Sequence, residues 1–124
     1  MNKTAYIRTI LALHGVNTDY AETVEAMLNR STFNNADGGY RGLTVDKKVR
    51  AEIIAEADIA PTRLERITRE LNKAGLIIKR TLYVWEFSEL FAPIQKRWQD
   101  ISDISLNVSF VGNCTPAVSV RFDR

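Results

Sequence analysis

Ile59-Ala60-Pro61-Thr62-Arg63-Leu64-Glu65-Arg66-Ile67-Thr68-Arg69-Glu70-Leu71-Asn72-Lys73-Ala74-Gly75-Leu76-Ile77 decides how the chain is read. Pro61 suits the first turn of a helix, because the amide it lacks would be unpaired there. Gly75 suits a left-handed stop, so a helix is predicted from Pro61 to Ala74. At about 100° per residue, with Leu64 at the origin, Ile67 and Leu71 both fall within one turn-sector of it and make a narrow apolar stripe. Arg69, Thr62, Lys73 and Arg66 fall on the opposite side, with Glu65 and Glu70 flanking them and Arg63 beyond Glu70. One face packs and the other carries a line of cations. The plain alternative is an ordinary solvated face, in which Glu65 and Glu70 neutralise their neighbours, for example Glu65 with Arg69 at i, i+4.

The surroundings of this helix give it context. Thr44 is read as the cap of a helix from Val45 to Ala57, with Val49, Ile53 and Ala57 on one face. The turn Asp58-Ile59-Ala60-Pro61 joins the two helices. After Gly75, Leu76 to Lys79 and Leu82 to Phe87 are β-rich runs broken near Arg80 and Thr81. Helix, turn, basic-faced helix and strand pair therefore follow within about 45 residues.

Further out, Ile7, Ile10, Leu11 and His14 predict a first helix from Thr4 to His14. Tyr20, Val24, Met27 and Leu28 predict a second one capped by Thr18 or Asp19 and ending near Asn29. The stretch from Ser31 to Gly42, with Asn34, Asn35, Asp37, Gly38, Gly39 and Gly42, has the chemistry of a loop. Its glycines lack the lysine and preceding strand of a phosphate-binding loop. Leu90, Phe91, Ile94, Trp98 and Ile101 predict a further helix from Ser88, interrupted at Pro93. Leu106, Val108 and Phe110, then Val118, Val120 and Phe122, alternate with polar residues across the Gly112 to Pro116 turn and predict a terminal β-hairpin.

With 124 residues, 45% apolar and 26% charged, the chain has the size and composition of one folded domain. The absence of a long apolar run or an apolar leader makes a cytoplasmic protein, away from membranes, the expectation. One cysteine, Cys114, and one histidine, His14, leave no ligand set for a structural zinc site. The net charge is +2, but residues 1–40, 41–80 and 81–124 carry −1, +4 and −1, counted as 3 basic and 4 acidic, 10 and 6, and 4 and 5. The positive charge coincides with the helix pair.

The run from Leu43-Thr44 through Phe91, above all Ile59 to Ile77, resembles winged helix-turn-helix DNA-binding domains. The Asn-rich loop before Leu43, with Leu82-Tyr83-Val84 and Phe87-Ser88-Glu89-Leu90-Phe91, is most similar to plasmid and phage replication initiators of the replication-protein L type. The resemblance covers residues 20 to 92. It implies an α+β winged helix spanning residues 1–124, with the core at about 43–92, N-terminal helices at 4–29 and an added C-terminal helix and hairpin at 93–124. Pro61 to Ala74 would be the recognition helix and Leu76 to Phe87 the wing. The family's glycine-containing basic wing tip is replaced here by Lys79-Arg80-Thr81.

A major groove admits a helix, arginine pairs with the O6 and N7 acceptors of guanine, and lysine serves as a point charge for phosphate. Base reading is therefore expected of Arg66, Arg69 and Thr62, and phosphate contact of Arg63, Lys73, Lys79, Arg80, Lys47 and Lys48. One short helix makes few base contacts, so a homodimer on double-stranded DNA is expected. Its role would be plasmid or phage replication initiation, partition or transcriptional regulation. The alternative is a winged-helix module that binds protein within a phage or plasmid assembly, to which Trp85, Phe87, Phe91 and Trp98 would contribute if exposed.

An enzyme is not expected. His14 lies on an apolar stripe, Cys114 has no basic neighbour in sequence, and Glu52 with Glu56 is a surface carboxylate pair without a second acidic motif. No cofactor or metal is expected either.

Overall fold

The computed structural model describes residues 2–34, 40–91, 103–111 and 115–123. Helix α1, Lys3–Leu13, starts where the Asn2 side chain accepts a hydrogen bond from the Ala5 amide at 2.7 Å. It buries Tyr6, Ile7, Ile10 and Leu11. Asn17, rather than Thr18 or Asp19, then caps a single 3₁₀ turn, Thr18–Tyr20, which runs into α2, Ala21–Asn29. Arg8 with Glu22 at 2.8 Å and Thr4 with Glu25 at 3.3 Å tie α1 to α2.

The segment expected to be a loop instead contributes two strands, β1 at Thr32–Asn34 and β2 at Tyr40–Thr44, paired antiparallel with Thr32 opposite Gly42. Strand β2 runs on to Thr44, so the cap of α3, Lys47–Ala57, falls to Asp46, whose carboxylate accepts from the Val49 amide at 2.8 Å. Ile53 is fully buried beneath α3, with Val49 packed at the edge of the core. Arg30 reaches from the end of α2 to Glu52 at 3.2 Å and Glu56 at 2.7 Å. The i, i+4 carboxylate pair is thus one half of a clamp between α2 and α3.

Asp58 ends α3 in the left-handed region, at φ 53°, and Pro61 opens α4, Pro61–Lys73. Leu64, Ile67 and Leu71 are buried as the wheel predicts, together with Thr68, whose hydroxyl is spent on the Glu65 carbonyl at 2.9 Å. Gly75, at φ 77°, closes the helix: its amide donates to the Asn72 carbonyl and the next amide, of Leu76, to the Leu71 carbonyl.

The chain then makes β3, Ile77–Lys79, and β4, Val84–Phe87. The four strands form one antiparallel sheet in the order β1-β2-β4-β3, with Leu43 opposite Trp85 and Ile77 opposite Phe87. Because successive residues face opposite sides, Ile77, Trp85, Phe87 and Leu43 share the face that meets the helices, and all four are buried. The helix expected from Ser88 is a single 3₁₀ turn, Glu89–Phe91, before the described residues break off; Trp98 and residues 93–101 lie outside them.

The hairpin is present as β5, Asp103–Val111, and β6, Thr115–Asp123, with Leu106 opposite Val120 and Val108 opposite Val118. Val118 packs against the core. The architecture is α+β around one apolar cluster that takes in α1, α2, α3, α4 and the four-stranded sheet. Among the described residues, no helix is long and apolar enough to cross a membrane.

Candidate nucleic-acid interface

Helix α4 stands on its apolar stripe and turns its other face to solvent. Thr62, Arg63, Arg66 and Arg69 are all exposed and together line a groove of about 350 Å³. The wheel therefore brings together the three residues expected to read bases and one expected on phosphate.

The two carboxylates on α4 decide whether this groove is positive or neutralised: Glu65 is engaged to the side, and Glu70 lines a separate depression with Lys73. Glu65 Oε1 meets Arg50 Nη2 of α3 at 2.9 Å rather than Arg69. Glu70 faces Tyr20, at the entry to α2: hydrogen bonding to the Glu70 carboxylate, then burial, then its negative charge raise the phenol above its ordinary pKa, with Arg66 and Arg63 pulling the other way. Among the described residues, no carboxylate lies within ion-pair distance of Arg63, Arg66 or Arg69.

Arg63 is held in place by an aromatic ring. Its guanidinium carbon lies 5.4 Å from the centroid of the Tyr20 ring, a cation–π contact that orients the side chain and leaves its charge intact. Tyr20 thus meets α4 twice, with its ring face on Arg63 and its hydroxyl beside Glu70, whose Oε2 is buried without a hydrogen-bond partner. Nothing in the spacing of α4 points to Tyr20, which enters from the 3₁₀ turn ahead of α2.

The other expected contacts are distributed around the groove. Lys73 is exposed but lines a different depression, of about 410 Å³, with His14, Asn17 and Glu70. His14 Nδ1 donates to the Ile10 carbonyl at 2.8 Å, so the ring is fixed at the end of α1. Lys47 and Lys48 are exposed on the first turn of α3. Lys79 Nζ sits 5.4 Å over the buried Trp85 ring, and Arg80 Nε meets Glu86 at 2.6 Å. These two cations at the strand turn are ordered by contacts within the sheet.

Trp85, Phe87 and Phe91 are buried, with Phe87 and Phe91 packed edge to face at 6.2 Å between centroids, so these three belong to the core and not to an exposed seam. Cys114 lies outside the described residues. Among the described residues, no group of three or more His, Cys, Asp or Glu side chains is placed to hold a metal ion. Compared with known proteins, the chain matches no family model, no curated protein and no solved structure.

Proposed function

We propose that the protein is a winged-helix binder of double-stranded DNA that reads sequence with α4. The observation that carries this reading is the groove of Thr62, Arg63, Arg66 and Arg69, from which Glu65 is held by Arg50 while Glu70 lines the separate depression with Lys73. An ordinary solvated helix gains from pairing its charges along its own surface. Here the local pair of Glu65 is replaced by a contact to the preceding helix, and the cations stay available to an outside anion.

The chain order supports the same reading. Helix α2, strand β2, helices α3 and α4 and the β3–β4 pair, with β2 beside β4, give the order in which a winged helix presents a recognition helix beside a wing. In this reading Arg66, Arg69 and Thr62 meet base edges. Arg63, Lys73, Lys79, Arg80, Lys47 and Lys48 meet phosphates. A homodimer would double the few base contacts of one helix, and plasmid or phage replication initiation, partition or transcriptional control are the roles such a protein would fill.

Duplex binding titrated against salt tests the reading. Log K should fall linearly with log salt, with a slope of about −0.9 per phosphate neutralised. A flat response overturns it.

A further inference from the structure

Strands β5 and β6 pair in unbroken register, from Asp103 opposite Asp123 to Val111 opposite Thr115. Successive residues of a strand face opposite sides, so the register places Ile104, Leu106, Val108 and Phe110 on one face and Ser105, Asn107 and Ser109 on the other. Strand β6 is the inner one: Val118 packs against the core, and β6 lies against the 3₁₀ turn Glu89–Phe91. Strand β5 is the outer one. Its neighbours Asn107 and Val108 lie on opposite faces, and both are exposed, Val108 to 38%.

Among the described residues, β5 pairs with β6 alone. An open edge presents unpaired amides and carbonyls, and proteins ordinarily guard one with lysine, proline, a bulge or a very short strand. The edges of the four-stranded sheet obey this rule, because β1 and β3 are three residues long and β3 carries Lys79. Strand β5 does not. It is nine residues long and free of bulges, and its only charged residue is Asp103 at the end.

The order of residues in β5 selects the partner. Ile104-Ser105-Leu106-Asn107-Val108-Ser109-Phe110 reads apolar, Ser, apolar, Asn, apolar, Ser, apolar from either end. A two-fold axis at Asn107 sets this strand antiparallel to its own copy, with Leu106 opposite the partner's Val108, Ser105 opposite the partner's Ser109 and Ile104 opposite the partner's Phe110. Every pair joins like with like, and the two copies of Asp103 fall at opposite ends of the ladder. A slip of one residue opposes apolar to polar positions along the whole strand.

We infer that the outer edge of β5 pairs with β5 of a second copy about a two-fold axis at Asn107, giving one four-stranded antiparallel sheet across a homodimer. A two-stranded hairpin is marginal alone, whereas a wider sheet with one apolar face is not. The contact is isologous and closes at two subunits. The inference goes beyond the duplex-binding reading and does not rest on it, since it concerns a segment outside the winged-helix resemblance and is tested without DNA.

Sedimentation of the full chain at increasing concentration should show a monomer–dimer equilibrium. Asn107→Lys, at an exposed position, sets two lysines opposite each other on the axis and should weaken dimerisation about fivefold or more. Cross-linking reads the register. In a Cys114→Ser background, Asn107→Cys should be joined to its copy by a short bismaleimide, because directly opposed residues bring their Cβ atoms to about 4.5–5.5 Å. Asp103→Cys lies about 27 Å from its copy along the ladder and should not be joined. A wild type that sediments only as a monomer or as a species larger than a dimer overturns the interface. So does an Asn107→Lys variant as dimeric as the wild type, a failure of Asn107→Cys to cross-link, or equal cross-linking at Asp103→Cys. Each of these leaves the α4 reading standing, and a flat salt response of duplex binding leaves the β5 interface standing.

Discussion

Arg50 of α3 and Glu65 of α4 meet at 2.9 Å, and this contact across the helix pair keeps Glu65 away from Arg69, its neighbour one turn along α4. The pair is open to solvent, with side-chain exposures of 33% and 68%, so its contribution to folding is below about 1 kcal/mol. Its consequence lies in the charge of the groove.

Removing the cation should release the carboxylate. In Arg50→Ala, Glu65 becomes available to Arg69 at i, i+4, and duplex affinity is expected to fall several-fold with little change in thermal stability. Glu65→Gln should tighten binding instead. The double variant Arg50→Ala/Glu65→Gln should recover much of what Arg50→Ala loses. Anisotropy titrations at one salt concentration measure all three. A double variant as weak as Arg50→Ala alone would mean that Arg50 itself touches DNA and that the pairing is incidental.

Arg66 and Lys73 should separate reading from holding. Arg66 lies in the groove shared with Thr62 and Arg69, whereas Lys73 lines the separate depression beside His14 and Glu70. Arg66→Ala is expected to cost about 1–3 kcal/mol on the preferred duplex and to relax preference at one base position. Lys73→Ala should weaken all duplexes alike and reduce the salt slope by about one. Competition between a selected duplex and a scrambled one distinguishes the two patterns.

How far these features could be read from the sequence depended on the range of the interaction behind each. The apolar stripe of α4 and its proline start and glycine stop are set by neighbours close in the chain and appear at the predicted positions; the terminal hairpin is present, but Thr115 and Pro116, read as turn, pair with Val111 and Phe110 in its strands. Strands β1 and β2 are different. Tyr40-Arg41-Gly42-Leu43-Thr44 has weak strand character of its own and is extended because Gly42, Leu43 and Thr44 pair with Glu86, Trp85 and Val84, far along the chain. The turn residues around it dominated the local signal. The cap of α3 moves to Asp46 because Thr44 is drawn into the sheet opposite Val84, whereas ahead of α2 the cap is Asn17 through a local bond from the Asp19 amide.

The candidate site divides in the same way. The exposure of Thr62, Arg66 and Arg69 followed from helical geometry alone. The state of their charges did not, because Glu65 is paired with Arg50 on the preceding helix and Glu70 acts on Tyr20, which lies ahead of α2. The i, i+4 rule described where Glu65 could go, and the packing of α3 against α4 decided where it went. Leu82 and Tyr83 read as strand residues because they are apolar and β-prone. Only the hydroxyl of Thr81, accepting from the amides of Tyr83 and Val84, puts them in the turn between β3 and β4.

The core should answer to Tyr6. Its hydroxyl donates to the carbonyl of Leu90, linking α1 to the 3₁₀ turn after β4, and the ring is fully buried. Tyr6→Phe preserves the packing and leaves a buried carbonyl without this donor, at a cost of about 1–3 kcal/mol. Urea unfolding should show a lower midpoint with an unchanged slope. Leu64→Ala, which opens a cavity under α4, should cost more, about 2–5 kcal/mol. A Tyr6→Phe protein as stable as the wild type would show that the Leu90 carbonyl finds another partner.

Tyr6 and Tyr20 together predict a loss of stability at high pH. Burial raises the Tyr6 phenol far above its ordinary value near 10, and the Glu70 carboxylate followed by burial raises Tyr20. Both phenols therefore keep their protons in the folded protein at a pH where the unfolded chain has released them. With fewer protons bound in the unfolded state, stability falls as pH increases. The contribution of the two groups is fully present below about pH 10 and is lost as pH rises from there through the raised folded values. Lysines titrate in the same range, so the informative quantity is the difference between variants. Tyr6→Phe and Tyr20→Phe should each show a shallower decline than the wild type in urea unfolding between about pH 9 and pH 11, with the larger effect from Tyr6, which has the larger shift. Tyr20→Phe keeps the ring face that holds Arg63 and removes the hydroxyl beside Glu70, so its duplex affinity at neutral pH should fall in the same direction as that of Arg50→Ala. Parallel stability curves for Tyr20→Phe and the wild type would show that Glu70 does not act on this hydroxyl, and the argument that Tyr20 draws Glu70 away from the groove would fail with it.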